Sequence, residues 1–140
     1  MKTRFTPLVK MKKDAMDKSE RDLQKANHLL QNAQQILHQA YEELNSLSSP
    51  TSGEITQFVQ ARQMLEAQRN VVAQEQEKVA MAESEVLKAK MALKDAMMEY
   101  EKFKYLEAEQ IKLVVAKRKK QMQRELDEIA VQNFGIRKES

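Results

Sequence analysis

The chain has 140 residues, of which 32% are charged and 5% aromatic, with two glycines, two prolines, no tryptophan and no cysteine. That composition describes long helices; it excludes a globule with a sizeable core, a disulfide framework and a thiolate nucleophile. The net charge of +3 conceals segregation, because residues 1–13 carry Lys2, Arg4, Lys10, Lys12 and Lys13 with no acid, residues 110–124 carry Lys112, Lys117, Arg118, Lys119, Lys120 and Arg124 with no acid, and the remainder is net acidic.

Thr6 followed by Pro7 reads as a helix N-cap with proline at the first helical position, where its missing N–H costs nothing. A first helix is expected over about 7–47. Along it Val9, Met16, Leu23, Leu30, Leu37 and Leu44 recur every seven residues and alternate with Ala26, Ala33, Ala40 and Leu47. Residues 48–53 read as a turn, since Ser and Thr cluster there with Pro50 and Gly53, and Thr51 to Glu54 has capping-box spacing. A second helix is expected over about 54–134, with a flexible tail at 135–140. It carries the matching series Phe58, Leu65, Val72, Val79, Val86, Leu93 and Tyr100, alternating with Ala61, Ala82, Ala89 and Ala96.

Both series are used only if the helices pack against each other, so the fold class is all-α: a two-helix antiparallel coiled-coil hairpin, one domain over 1–140, with a longer, overhanging second helix. A register in which paired residue numbers total 105 sets bulky residues against alanines, as in Leu23 with Ala82, Ala33 with Val72 and Ala40 with Leu65. Lys12, Ser19, Glu75 and Gln68 make poorer layers, where long polar side chains snorkel out of a narrow seam. After Phe103 the phase slips by one, to Ala108, Val115, Met122, Ile129 and Ile136. The overhang thus carries Ile111, Val114, Val115, Met122, Leu126 and Ile129 on a stripe without a partner in its own chain, a binding or self-association face. Both basic segments fall at the open end, which seeks an acidic partner.

No catalytic constellation assembles. His28 and His38 fall at outward heptad positions without ligand spacing, the carboxylates are scattered over helix exteriors, and no glycine-rich phosphate loop exists, so neither an enzyme nor a metal or other cofactor is expected. The basic run 112–124 follows its heptads, and the repeat is antiparallel, the reverse of a basic zipper, which counts against nucleic acid. Leu87, Met91, Met98 and Tyr105 mark an outward apolar stripe, and Tyr41 and Phe58 are the aromatic residues near the turn. No run of about 18 apolar residues could span a bilayer, and the N-terminus lacks the apolar core of a secretory signal, so the protein is expected in the cytoplasm without membrane insertion.

The opening Phe5-Thr6-Pro7-Leu8 and the closing Glu125-Leu126-Asp127-Glu128-Ile129-Ala130, followed by Phe134, resemble the two ends of the flagellar FliJ family, soluble components of the bacterial flagellar protein-export apparatus. Length, layout and central turn agree. The resemblance implies an antiparallel coiled coil similar to the shaft of rotary ATP synthases, engaging the ring of the flagellar export ATPase, the cytoplasmic domain of the export gate and the export chaperones. It also implies a place at the inner face of the cell membrane. The family's gate-binding surface maps onto Gln34, Tyr41 and Phe58, while His38 and Asn45 depart from it. Lys112, Lys117, Arg118, Lys119, Lys120, Arg124, Ile111, Val115, Met122 and Ile129 are the candidates for the ATPase contact. Virulence type III secretion stalks share this plan; the closing motif favours the flagellar branch. The alternatives are a self-associating structural coiled coil and a nucleic-acid-binding basic helix.

Overall fold

The computed structural model describes the backbone of residues 1–139 and the side chains of residues 1–135. It consists of two helices, α1 (Thr6–Ser46, 41 residues) and α2 (Ile55–Glu139, 85 residues), with no strand among the described residues. The chain is therefore all-α, a helical hairpin. Its contacts gather into two compact units, one made of Met1–Ala15 with Ala96–Ser140 and the other of Met16–Asp95.

In the Met16–Asp95 unit the less exposed positions of α1 are Met16, Ser19, Leu23, Ala26, Leu30, Ala33, Leu37, Ala40 and Leu44, with only Asp17 added beside them, and Leu47 just past the helix end continues the series. On α2 they are Ala61, Leu65, Gln68, Val72, Glu75, Val79, Ala82, Val86, Ala89 and Leu93. These are the heptad series, poor layers included. Only Ala40, Val72 and Val86 are buried. The unit is thus held by many half-covered side chains along a thin seam, as a two-helix structure must be.

The register differs from the expected one. Gln68 Nε2 donates to the Ala40 carbonyl at 3.0 Å and to Glu43 Oε2 at 3.3 Å, and Gln76 Nε2 donates to the Tyr41 hydroxyl. The numbers in these pairs total 108, 111 and 117. At a total of 105, Tyr41 and Gln76 would stand about 18 Å apart along the axis; at 112 they stand about 8 Å apart, within reach of the two side chains. The helices are therefore offset by one heptad from the expectation. Ala40 lies opposite Val72, Ala26 opposite Val86, Leu30 opposite Ala82 and Leu23 opposite Ala89. Bulky residues still meet alanines, which is why alanine matching alone did not fix the register.

The offset leaves residues 55–60 uncovered, with Ile55 82% and Phe58 42% exposed. A total of 105 would set Phe58 against Leu47, a place this register gives to Leu65. The turn closes with Ser46 Oγ donating to the Glu43 carbonyl at 2.8 Å and Leu47 N–H donating to the Leu44 carbonyl at 3.2 Å. The Glu54 carbonyl accepts from Gln57 N–H and Phe58 N–H and so opens α2, while Thr51 makes no side-chain hydrogen bond among the described residues. Gly53 has φ +146°, and a Cβ there would collide with the Gln57 side chain. Glycine is needed at that position.

In the other unit, the cap of α1 lies three residues before the expected one. Thr3 Oγ1 accepts from Phe5 N–H at 3.1 Å, and Thr3 N–H donates to Thr6 Oγ1 at 2.9 Å, a reciprocal arrangement in which Thr6 takes the usual place of a glutamate. Pro7 follows inside the first turn. Lys12, expected against Leu93, instead lays its ammonium 3.5 Å from Glu99 Oε2 and over the Phe103 ring at 5.4 Å. The half-buried residues of α2 here are Ala96, Glu99, Tyr100, Phe103, Leu106, Glu107, Glu109, Gln110, Ile111 and Val114. Phe103, Glu107, Gln110 and Val114 continue the original seam, so burial does not follow the slipped series; Ala108 is exposed. The N-terminal residues Thr3, Phe5, Thr6, Leu8 and Val9 provide the cover. From Val115 to Gly135 every residue is exposed. α2 continues through Gly135, where a Cβ would meet nothing, to Glu139; Ser140 and the side chain of Ile136 lie outside the described residues.

Candidate binding surfaces

From Val115 to Gly135 α2 is helical with every residue exposed. At 3.6 residues per turn its side chains sort into two stripes. Val115, Met122 and Ile129, seven apart, stand with Leu126 on one side at 37%, 62%, 52% and 59% exposure. Lys117, Lys120 and Arg124 stand on another, around a shallow depression that Gln121 completes. The slipped series of the sequence is therefore an exposed stripe rotated away from the seam. Of the basic residues, Lys112 pairs with Glu109 at 3.6 Å one turn away. Lys117, Arg118, Lys119, Lys120 and Arg124 have no ion pair among the described residues. Ile111 departs from the expected group: it is half-buried on the paired part of α2, apart from the bare stripe. Such a helix, cationic on one side and apolar on another, presents both charge attraction and a desolvation surface to a partner.

Near the turn the structure distributes the expected residues over three places. Gln34 is exposed in a shallow hollow on α1 with Gln31, Gln35, His38, Gln39 and Glu42. His38 Nε2 lies 3.0 Å from Glu42 Oε1. Tyr41, 38% exposed, is tethered across the seam by Gln76. Phe58 sits in a cleft with Pro50, Leu65, Arg62 and Arg69. Arg62 pairs with Glu66 at 3.6 Å, and Arg69 has no such partner among the described residues. Gln34 and Tyr41 share a heptad position on α1, two turns apart, whereas Phe58 belongs to a separate cleft. Sequence reasoning missed Ile55 and Val59, exposed at 82% and 48% beside Phe58. Their i, i+3, i+4 spacing at the start of α2 was the available signal. The outward stripe residues Leu87, Met91, Met98 and Tyr105 are exposed at 60–64%.

Among the described residues no three His, Cys, Asp or Glu side chains gather as metal ligands, and no helix is long and apolar enough to cross a membrane.

Residues 1–139 match the model of the family described as flagellar FliJ protein. The match covers nearly the whole chain, and the chain belongs to that family. No curated protein and no solved structure matches it.

Proposed function

We propose that this member of the flagellar FliJ family, and hence a flagellar export-related protein, is a non-enzymatic stalk and coupling component of the export apparatus. The bare basic helix engages the export ATPase ring: Lys117, Arg118, Lys119, Lys120 and Arg124 draw in acidic loops, with Lys112 at the edge, and Val115, Met122 and Ile129 supply apolar contact. Ile111 supports that segment from its paired side. The end near the turn, with Gln34, Tyr41 and Phe58, faces the cytoplasmic domain of the export gate, and the stalk assists export-chaperone handling in the cytoplasm at the inner face of the cell membrane. The observation that supports the reading best is the run of five cations that make no ion pair among the described residues, beside an apolar stripe on the exposed stretch of α2. Exposed cations raise the encounter rate with an acidic partner, and the apolar stripe gives the complex its lifetime.

Purified chain is expected to raise ATP hydrolysis by the cognate export ATPase, and charge reversal at residues 117–120 to abolish the increase while leaving helicity unchanged. Folded wild-type chain without any stimulation would overturn the reading. The same exposed stripe also favours a second reading, self-association; sedimentation at several concentrations decides it, since a concentration-independent monomer contradicts self-association.

A further inference from the structure

We infer that the hairpin has a second register one heptad away, and that sliding α1 past α2 by about 10 Å between the two covers or uncovers the Phe58 face. Heptad packing comes in discrete steps, because each knob must find a hole, so a two-helix seam slides by whole repeats or not at all.

The sequence supports both steps about equally. In the observed register Leu23 meets Ala89, Ala26 meets Val86, Leu30 meets Ala82, Ala33 meets Val79 and Ala40 meets Val72. One heptad away, Met16 meets Ala89, Leu23 meets Ala82, Ala26 meets Val79, Ala33 meets Val72 and Ala40 meets Leu65. The poor layers survive the move as well: Glu75 exchanges Leu37 for Leu30, and Gln68 exchanges Leu44 for Leu37. Within the Met16–Asp95 unit neither the apolar matches nor the polar intrusions separate the two states; in the other unit the slide draws the N-terminal residues away from the half-buried Leu106, Ile111 and Val114, in exchange for cover over Ile55 and Phe58, so polar contacts weigh in the choice.

The observed register is held in the Met16–Asp95 unit by Gln68 on the Ala40 carbonyl and Glu43 and by Gln76 on Tyr41. In the other unit it is held by Lys12 between Glu99 and Phe103. Two features oppose it. Glu107 Oε2 is buried without a hydrogen-bond partner among the described residues, at the level of Phe5, and Ile55 and Phe58 are left 82% and 42% exposed. A stranded carboxylate oxygen and bare apolar side chains both cost free energy. The slide relieves both: Phe58 comes level with Leu47, Ala61 with Leu44, and Tyr100 replaces Glu107 opposite Phe5. Resting on the gate reading of Phe58, the observed register is the gate-competent one and the slid register hides that aromatic residue.

Because the chain has no cysteine, introduced pairs report the register directly. Ala40→Cys with Val72→Cys closes only in the observed register, and Ala33→Cys with Val72→Cys only in the slid one. Ala33→Cys with Leu65→Cys fits neither and measures unfolding. In the full-length chain, with helicity confirmed by circular dichroism, the first pair should oxidise fastest. The second should be about 10–1000-fold slower, as for a minor state of 0.1–10%, yet well above the control. Glu107→Leu, which removes the stranded oxygen, should slow the second pair several-fold. A second pair no faster than the control, in folded protein, overturns the second register. Binding of the oxidised forms to the purified cytoplasmic domain of the cognate gate then tests the consequence. The Ala40–Val72 lock should bind, and the Ala33–Val72 lock should not until reduced. If the second pair closes but wild type and both locks bind the gate domain equally or not at all, the register pair stands and the gate reading of Phe58 fails.

Discussion

Residues 16–95 and residues 115–135 are made of the same kinds of side chain at the same seven-residue spacing, yet one stretch is a seam and the other is bare. In the first, Val72 and Val86 are 6% and 7% exposed. In the second, Val131 is 71% and Ile129 52% exposed. A heptad therefore states which residues can share a stripe; only a partner helix turns the stripe into a core. The change occurs after Val114, and the face that continues the seam then turns polar with Lys117, Gln121 and Arg124.

Substitutions that act on one region and spare the other sharpen this contrast. Val72→Asp should bring an unpaired charge into the seam and cost about 3 kcal/mol or more, whereas Val131→Asp should change stability by no more than about 0.5 kcal/mol; thermal melts of the two variants separate them. Equal effects would erase the distinction between seam and bare helix. The two glycines make a subtler pair. Gly53→Ala should destabilise by about 1–2 kcal/mol, because Gly53 holds a positive φ against Gln57. Gly135→Ala, in an open helical position, should instead stabilise the end of α2 by about 0.5–1 kcal/mol, read as added helicity or slower amide exchange there.

Gln68→Ala should cost about 1 kcal/mol by denaturant titration, since it removes the two cross-helix hydrogen bonds that Gln68 itself donates. Smallest is Glu99→Gln: Lys12 and Glu99 are 30% and 47% exposed at the side chain, so the loss should be about 0.5 kcal/mol or less and should shrink as salt rises.

The stripes were legible residue by residue, even where Gln68 and Glu75 interrupt them, because the period depends only on side-chain chemistry. The register was not. Alanine recurs every seven residues on both helices, so one matched set slides onto the next, and the choice falls to Tyr41 with Gln76 and Lys12 with Glu99, pairs that no period announces. Likewise Thr6-Pro7 looked like the cap, but the threonine pair Thr3 and Thr6 satisfies the first amides earlier and adds cover for α2. Of the candidate surfaces, the basic run was fully visible as a charge count. That Ile111 falls on the paired side and Val115 on the bare side followed from how far the N-terminal residues reach, which sequence alone did not give.

The proposed contact of the exposed stretch of α2 with the export ATPase, as opposed to its paired stretch, is tested most directly by moving one change between the two. Reversing Lys117, Lys119 and Lys120 to glutamate should abolish stimulation of the cognate export ATPase, while reversing Lys88, Lys90 and Lys94 on the paired stretch of the same helix should leave it intact. Equal loss in both variants, or loss only in the second, would contradict the account.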